Sequence, residues 1–107
     1  MSTEKIRALN DAFRTTMTGG KVLLTAGVNA LPSDVKAMVI QRVVTFSEFN
    51  EENDPRQEHD FGNFSLAGCK FFWKIDYLDA KMEFGSEDSS NPSKTTRILT
   101  IMLVEEY

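Results

Sequence analysis

Along Phe71-Phe72-Trp73-Lys74-Ile75-Asp76-Tyr77, large apolar residues at the odd positions alternate with Phe72, Lys74 and Asp76. A period of two lets a β-strand turn one face to a core and the other outward, and a helix cannot use it. Five of the eight phenylalanines and the only tryptophan lie between Phe49 and Trp73, so the core has to be assembled around this strand. Just before it, Ala67-Gly68 separates Phe61–Leu66 from Cys69–Tyr77, the spacing of a hairpin with a two-residue turn.

The rest of the chain arranges itself around that hairpin. Ile98 to Val104 is apolar on both faces, which suits a strand in the middle of a sheet. Lys81 to Phe84 reads as another short strand, followed by a loop rich in Ser, Asn and Pro from Gly85 to Lys94. Near the start, Ile6, Leu9, Phe13 and Met17 recur at helical spacing, with Ser2 or Thr3 as cap and Gly19-Gly20 as terminator. Lys21 to Ala26 reads as a short buried strand and Asn29 to Leu31 as a loop. Pro32-Ser33-Asp34 then opens a second helix, with Pro32 in its first turn and an apolar stripe of Val35, Met38, Val39, Val43 and Phe46. The order α-β-α-β-β-β-β predicts an α+β fold, two helices packed on one face of a mainly antiparallel sheet of about five strands. A chain of 107 residues is expected to form a single domain spanning 1–107.

Charge is unevenly placed. Residues 1–47 carry six basic and three acidic groups, a net of +3, whereas residues 48–107 carry six against thirteen, a net of −7. An acidic second half disfavours wrapping a phosphate backbone, so direct nucleic-acid binding is not expected. It suits a protein partner with a basic surface. Cys69 is the only cysteine, which excludes an internal disulfide and a cysteine-paired metal or redox site. No apolar run approaches a signal-peptide core or a membrane span, so the expectation is a cytoplasmic protein with no membrane contact.

The sharpest chemical candidate is His59 between Glu58 and Asp60, because an imidazole beside carboxylates can act as a general base or a metal ligand. His59, Asp60 and Asp76 would be the centre of a metal-dependent hydrolase, with Asp54, His59 and Asp60 as metal ligands. Against this, His59 and Asp60 can simply fasten the acidic loop to the sheet. Asp60-Phe61-Gly62 spells the magnesium triplet of protein kinases without any of its companion motifs. Asn50, Glu52 and Asp54 alternate like a calcium loop, but Pro55 stands where the turn needs glycine. Trp73, Phe72 and Tyr77 with Lys70, Lys74 and Lys81 resemble a base-stacking platform, which Asp76, Asp79 and Glu83 oppose. Arg97 is expected to pair with Asp76 or Glu83 across the sheet.

From Ile6-Arg7-Ala8-Leu9-Asn10-Asp11-Ala12-Phe13-Arg14 through Asn53-Asp54-Pro55, Glu58-His59-Asp60-Phe61-Gly62 and Phe71–Tyr77 to Leu99-Thr100-Ile101-Met102-Leu103, the chain resembles a family of small bacterial proteins of unknown function. That family is met mostly in alphaproteobacterial genomes and plasmids. The resemblance implies no reaction and no site residues. Its association with mobile DNA implies, by analogy, plasmid upkeep or the blocking of a host defence, as an anti-CRISPR or anti-restriction protein does. The expectation is therefore a non-enzymatic protein-binding module without a cofactor, a mobile-element accessory protein acting on a host defence or replication protein and open to homo-oligomer formation. Its contacts are placed on Glu48, Glu51, Glu52, Asp54, Glu58, Asp60, Glu87 and Asp88, in loops carried by a rigid sheet.

Overall fold

The computed structural model describes residues 2–107. Helix α1 (Thr3–Thr16) leads to strand β1 (Lys21–Leu24), a short helix α2 (Ala26–Asn29), helix α3 (Ser33–Val44), strands β2 (Phe61–Leu66), β3 (Cys69–Leu78) and β4 (Thr96–Leu103), and a 3-10 turn over Val104–Glu106. The strands form one mixed sheet in the order β1-β4-β3-β2. β2 and β3, and β3 and β4, pair antiparallel, while β1 pairs parallel with β4. The fold is α+β.

Alternation along β3 decides which face is covered. Phe71, Trp73 and Ile75 are buried beneath the helices, as are their cross-strand partners Phe64, Leu99 and Ile101. Phe13 of α1, Val28 of α2 and Val39 and Val43 of α3 close the core over them. Each large apolar side chain fully buried there contributes about 1.5–3 kcal/mol. Phe72, Lys74 and Asp76 point to the opposite face, as the period of two requires. β4, apolar on both faces, lies between β1 and β3.

Local chemistry accounts for the boundaries. Ser2 caps α1, its hydroxyl accepting the Lys5 N–H at 3.3 Å. The helix ends not at Gly19-Gly20 but at Met17, which takes the left-handed conformation (φ 57°) and donates its N–H to the Phe13 carbonyl. Met17 packs against the core, and that contact offsets a left-handed cost of about 1–2 kcal/mol. β1 is shorter than expected and lies at the sheet edge with Lys21, Val22 and Leu23 exposed, so it is not a buried strand. α2 takes the last residue of the expected strand, Ala26, and the first of the expected loop, Asn29, and its first turn is held by Glu106, whose carboxylate accepts from Thr25 Oγ1 at 2.6 Å and from the Gly27 N–H at 2.9 Å. Those bonds, with one from the Leu103 N–H, hold the Glu106 carboxyl below its ordinary value. Pro32 stands at the N-cap of α3 rather than within its first turn, and Met38 lies outside the buried stripe.

The sheet has four strands because Lys81 to Phe84 forms none. The Asp79 carboxylate accepts the N–H groups of Lys81 and Glu83 at 3.2 and 3.0 Å, and this side-chain turn competes successfully with a ladder. A single bridge, Leu78 to Gly85, is all that remains of the expected pairing.

Candidate functional site

The acidic segment between α3 and β2 is built from the inside outward. Asn50 Oδ1 accepts the N–H groups of Glu52 and Asn53 at 2.9 and 3.0 Å, Asn53 Oδ1 accepts the Asn50 N–H at 3.0 Å, and Asn53 Nδ2 donates to the Glu48 carbonyl at 2.8 Å. The amides are thus used on the backbone, and the carboxylates of Glu48, Glu51 and Glu52 stay exposed. Asp54 behaves differently. It is buried, 5% exposed, and its carboxylate accepts the His59 N–H at 3.0 Å and stands 3.5 Å from His59 Nε2.

His59, itself left-handed (φ 56°), is held from every side. Its Nδ1 lies 2.9 and 3.1 Å from the two carboxylate oxygens of Asp11 on α1, and its ring stacks on Phe49 with centroids 3.7 Å apart. Asp11 Oδ1 also accepts from Arg14 at 3.2 Å. Arg14 is 3% exposed, and its other amino group donates to the carbonyls of Val43, Val44 and Phe46, at and just beyond the C-terminus of α3. Its guanidinium lies 5.4 Å from the Phe49 ring centroid and 5.2 Å from that of Trp73, a cation–π setting that offsets the unpartnered Nε.

A second network starts one turn earlier on α1. Asn10, fully buried, donates to the Glu58 carbonyl at 3.0 Å and the Tyr77 hydroxyl at 2.7 Å, and accepts from Arg97 Nε at 2.7 Å. Arg97 also donates to the Ser89 carbonyl, and the Tyr77 hydroxyl donates to Glu58 Oε1 at 2.9 Å. Burial pushes the Tyr77 phenol well above its ordinary value, against the Asn10 hydrogen bond, and lowers the Arg97 guanidinium. Burial, with Glu58 beside it, raises the Asp60 carboxyl.

The expected contact residues therefore separate into groups. Glu48, Glu51, Glu52 and Glu87 are exposed; Glu58, Asp60 and Asp88 are half-buried; and Asp54 is a buried anchor, not a surface charge. Asp88 turns inward on its own loop, accepting from the Ser90 N–H and hydroxyl, which lowers its carboxyl. Arg97 meets Asn10 and Ser89 rather than Asp76 or Glu83, because its side chain lies on the helix-covered face. Asp76 lies on the other face, paired with Lys74 at 2.9 Å, so the sheet separates it from His59. Among the described residues no group of three or more His, Cys, Asp and Glu side chains is placed to hold a metal ion. The aromatic platform also divides, with Trp73 in the core and Phe72 on the open face. Among the described residues no helix is long and apolar enough to cross a membrane.

Of Asn10, Asp11 and Arg14, which sequence reasoning missed, Asn10 and Arg14 were signalled by their spacing. Asn10 is four residues after Ile6 and Arg14 four after Asn10, so both fall on the apolar stripe of α1.

A family model described as protein of unknown function (DUF3768) matches residues 24–106. The chain belongs to this family. The matched stretch takes in the whole acidic loop, His59 and strands β2, β3 and β4, while nearly all of β1 and the α1 residues that clamp the loop precede it. No curated protein and no solved structure matches the chain.

Proposed function

We propose that this protein is a non-enzymatic binding module whose loop from Glu48 to Glu58 engages a basic surface on a protein partner. The observation that carries the reading is the division of labour within the loop. Asn50, Asn53, Asp54 and His59 hold its backbone from within, and Glu48, Glu51 and Glu52 face solvent. A loop already ordered loses little conformational freedom on binding, so its charges act as a preformed recognition element. Carboxylates displayed along an ordered backbone present negative charge to a basic surface, as the phosphates of a nucleic acid do. A mobile-element accessory protein would use such an array to occupy the basic surface of a host defence or replication protein.

The test is capture from cells of the source organism with the wild-type protein and with Glu48→Gln/Glu51→Gln/Glu52→Gln, followed by affinity measurement on the purified captured protein. Asp54 and Glu58 are left intact because they anchor the loop. A partner that binds the wild type at least about tenfold more tightly than the variant, and less tightly as salt shortens the Debye length from about 10 Å, supports the reading. Equal binding by both proteins overturns it.

A further inference from the structure

We infer that the partner is held by strand addition, an extended segment laid along the free edge of β2 with a basic side chain seated in the cleft beside it. This inference rests on the binding-module reading above and specifies its geometry. Among the described residues β2 pairs only with β3, and it is the last strand of the sheet. The Ile75 N–H donates to the Asp60 carbonyl at 2.8 Å, which sets the phase of the ladder. By the alternation of antiparallel pairing, the backbone groups of Gly62 and Phe64 turn toward β3, and those of Phe61, Asn63 and Ser65 turn outward.

At the Ser65 end this edge is covered, since Arg42 reaches the Ser65 carbonyl at 3.4 Å. At the Phe61–Asn63 end it opens into a cleft of about 430 Å³ bounded by Phe46, Phe61, Asn63, Glu48 and Glu52. Phe46 belongs to the helix-covered side of the sheet, whereas Phe61 and Asn63 belong to the other, so the cleft straddles the strand edge. Outward N–H and C=O groups supply the main-chain recognition that strand addition uses, and alternate side chains of the added strand supply the specificity. Glu48 and Glu52 select an arginine or a lysine by charge pairing, and the half-buried Phe61 ring lies beside them to pack against its aliphatic stem.

The probe is a capped peptide of about six residues in which Arg alternates with Val, titrated into the whole protein and followed by amide NMR. Its partners are the same peptide with norleucine for Arg and a version N-methylated on alternate backbone nitrogens. Strand addition predicts that the Phe61 and Asn63 amides shift and gain exchange protection, and that N-methylation weakens binding by about tenfold or more. Exchanging Arg for norleucine, or introducing Glu48→Gln/Glu52→Gln, produces a similar loss. Asn63→Pro removes one outward N–H without touching the ladder and also weakens binding, while the methylated peptide gives the same test on an unaltered protein. Shifts confined to residues 48–54, with the methylated peptide binding normally, overturn strand addition and leave the acidic-loop reading standing. Absence of any shift overturns strand addition as well, and the capture experiment then decides the loop reading by itself.

Discussion

Arg14 joins α1 to the end of α3 and to the aromatic core. One guanidinium satisfies the end of α3, pairs with Asp11 and lies against both the Phe49 and Trp73 rings. Arg14→Ala takes a donor from three carbonyls and opens a void, and a loss of about 2–5 kcal/mol in urea denaturation is expected from the unpaired buried groups and lost packing. Arg14→Lys should recover less than half of it, because a single ammonium lacks the planar fork that reaches both the carbonyls and Asp11. Asp60 makes a pH prediction of the opposite kind. Its carboxyl is raised by burial and by Glu58, so the folded chain holds that proton more tightly than the unfolded chain does. The resulting penalty is absent below the unfolded aspartate pKa and grows as pH rises through the raised folded one. Asp60→Asn should therefore raise the urea midpoint at neutral pH, and this gain should vanish in acid; a gain that persists in acid would assign the effect to packing instead.

At the scale of elements, the hairpin was legible because two local signals agree. The apolar alternation of β3 and the two-residue gap at Ala67-Gly68 require the same register, and Leu66 does pair with Cys69. Both turn residues have positive φ, 53° and 78°, the primed turn that matches strand twist. Ala67 is strained there, so Ala67→Asn, giving the favoured Asn-Gly pair, should stabilise by about 0.5–1 kcal/mol and raise the melting temperature by a few degrees without altering the fold. Gly62 shows the reverse constraint. A Cβ at that position would lie 2.4 Å from Trp73 Nε1 and 2.8 Å from Phe46, so Gly62→Ala should cost about 1–3 kcal/mol by thermal denaturation. The expected strand at Lys81 to Phe84 failed because its alternation says nothing of the Asp79 carboxylate that ties its N–H groups into a turn. α2 escaped notice because a four-residue helix has no period to detect, and its support comes from Glu106, far along the chain.

For the whole molecule, the candidate site was half visible. The exposed glutamates announce themselves by composition and the Asn50 and Asn53 turns are local, but the clamp that α1 places on the loop rests on contacts about fifty positions apart, which no local pattern encodes. Asn10 is the clearest case. From a single helical position it bonds the Glu58 carbonyl, the Tyr77 hydroxyl and Arg97, and through Arg97 it reaches Ser89. It thereby fastens the acidic loop and the Ser86 to Asn91 loop to the same turn of α1. If that tie acts as one unit, Asn10→Ala should raise amide hydrogen exchange in residues 54–60 and 86–91 together, while β3 and β4 remain protected until global unfolding. The expected loss of stability is about 2–3 kcal/mol, since a fully buried side chain with three partners leaves unpaired groups behind. Loosening limited to residues 54–60 would show that Arg97 holds the second loop without Asn10. Faster exchange in both loops, accompanied by weaker capture of the basic partner, would tie recognition to the order that α1 imposes on the loop rather than to its charge alone.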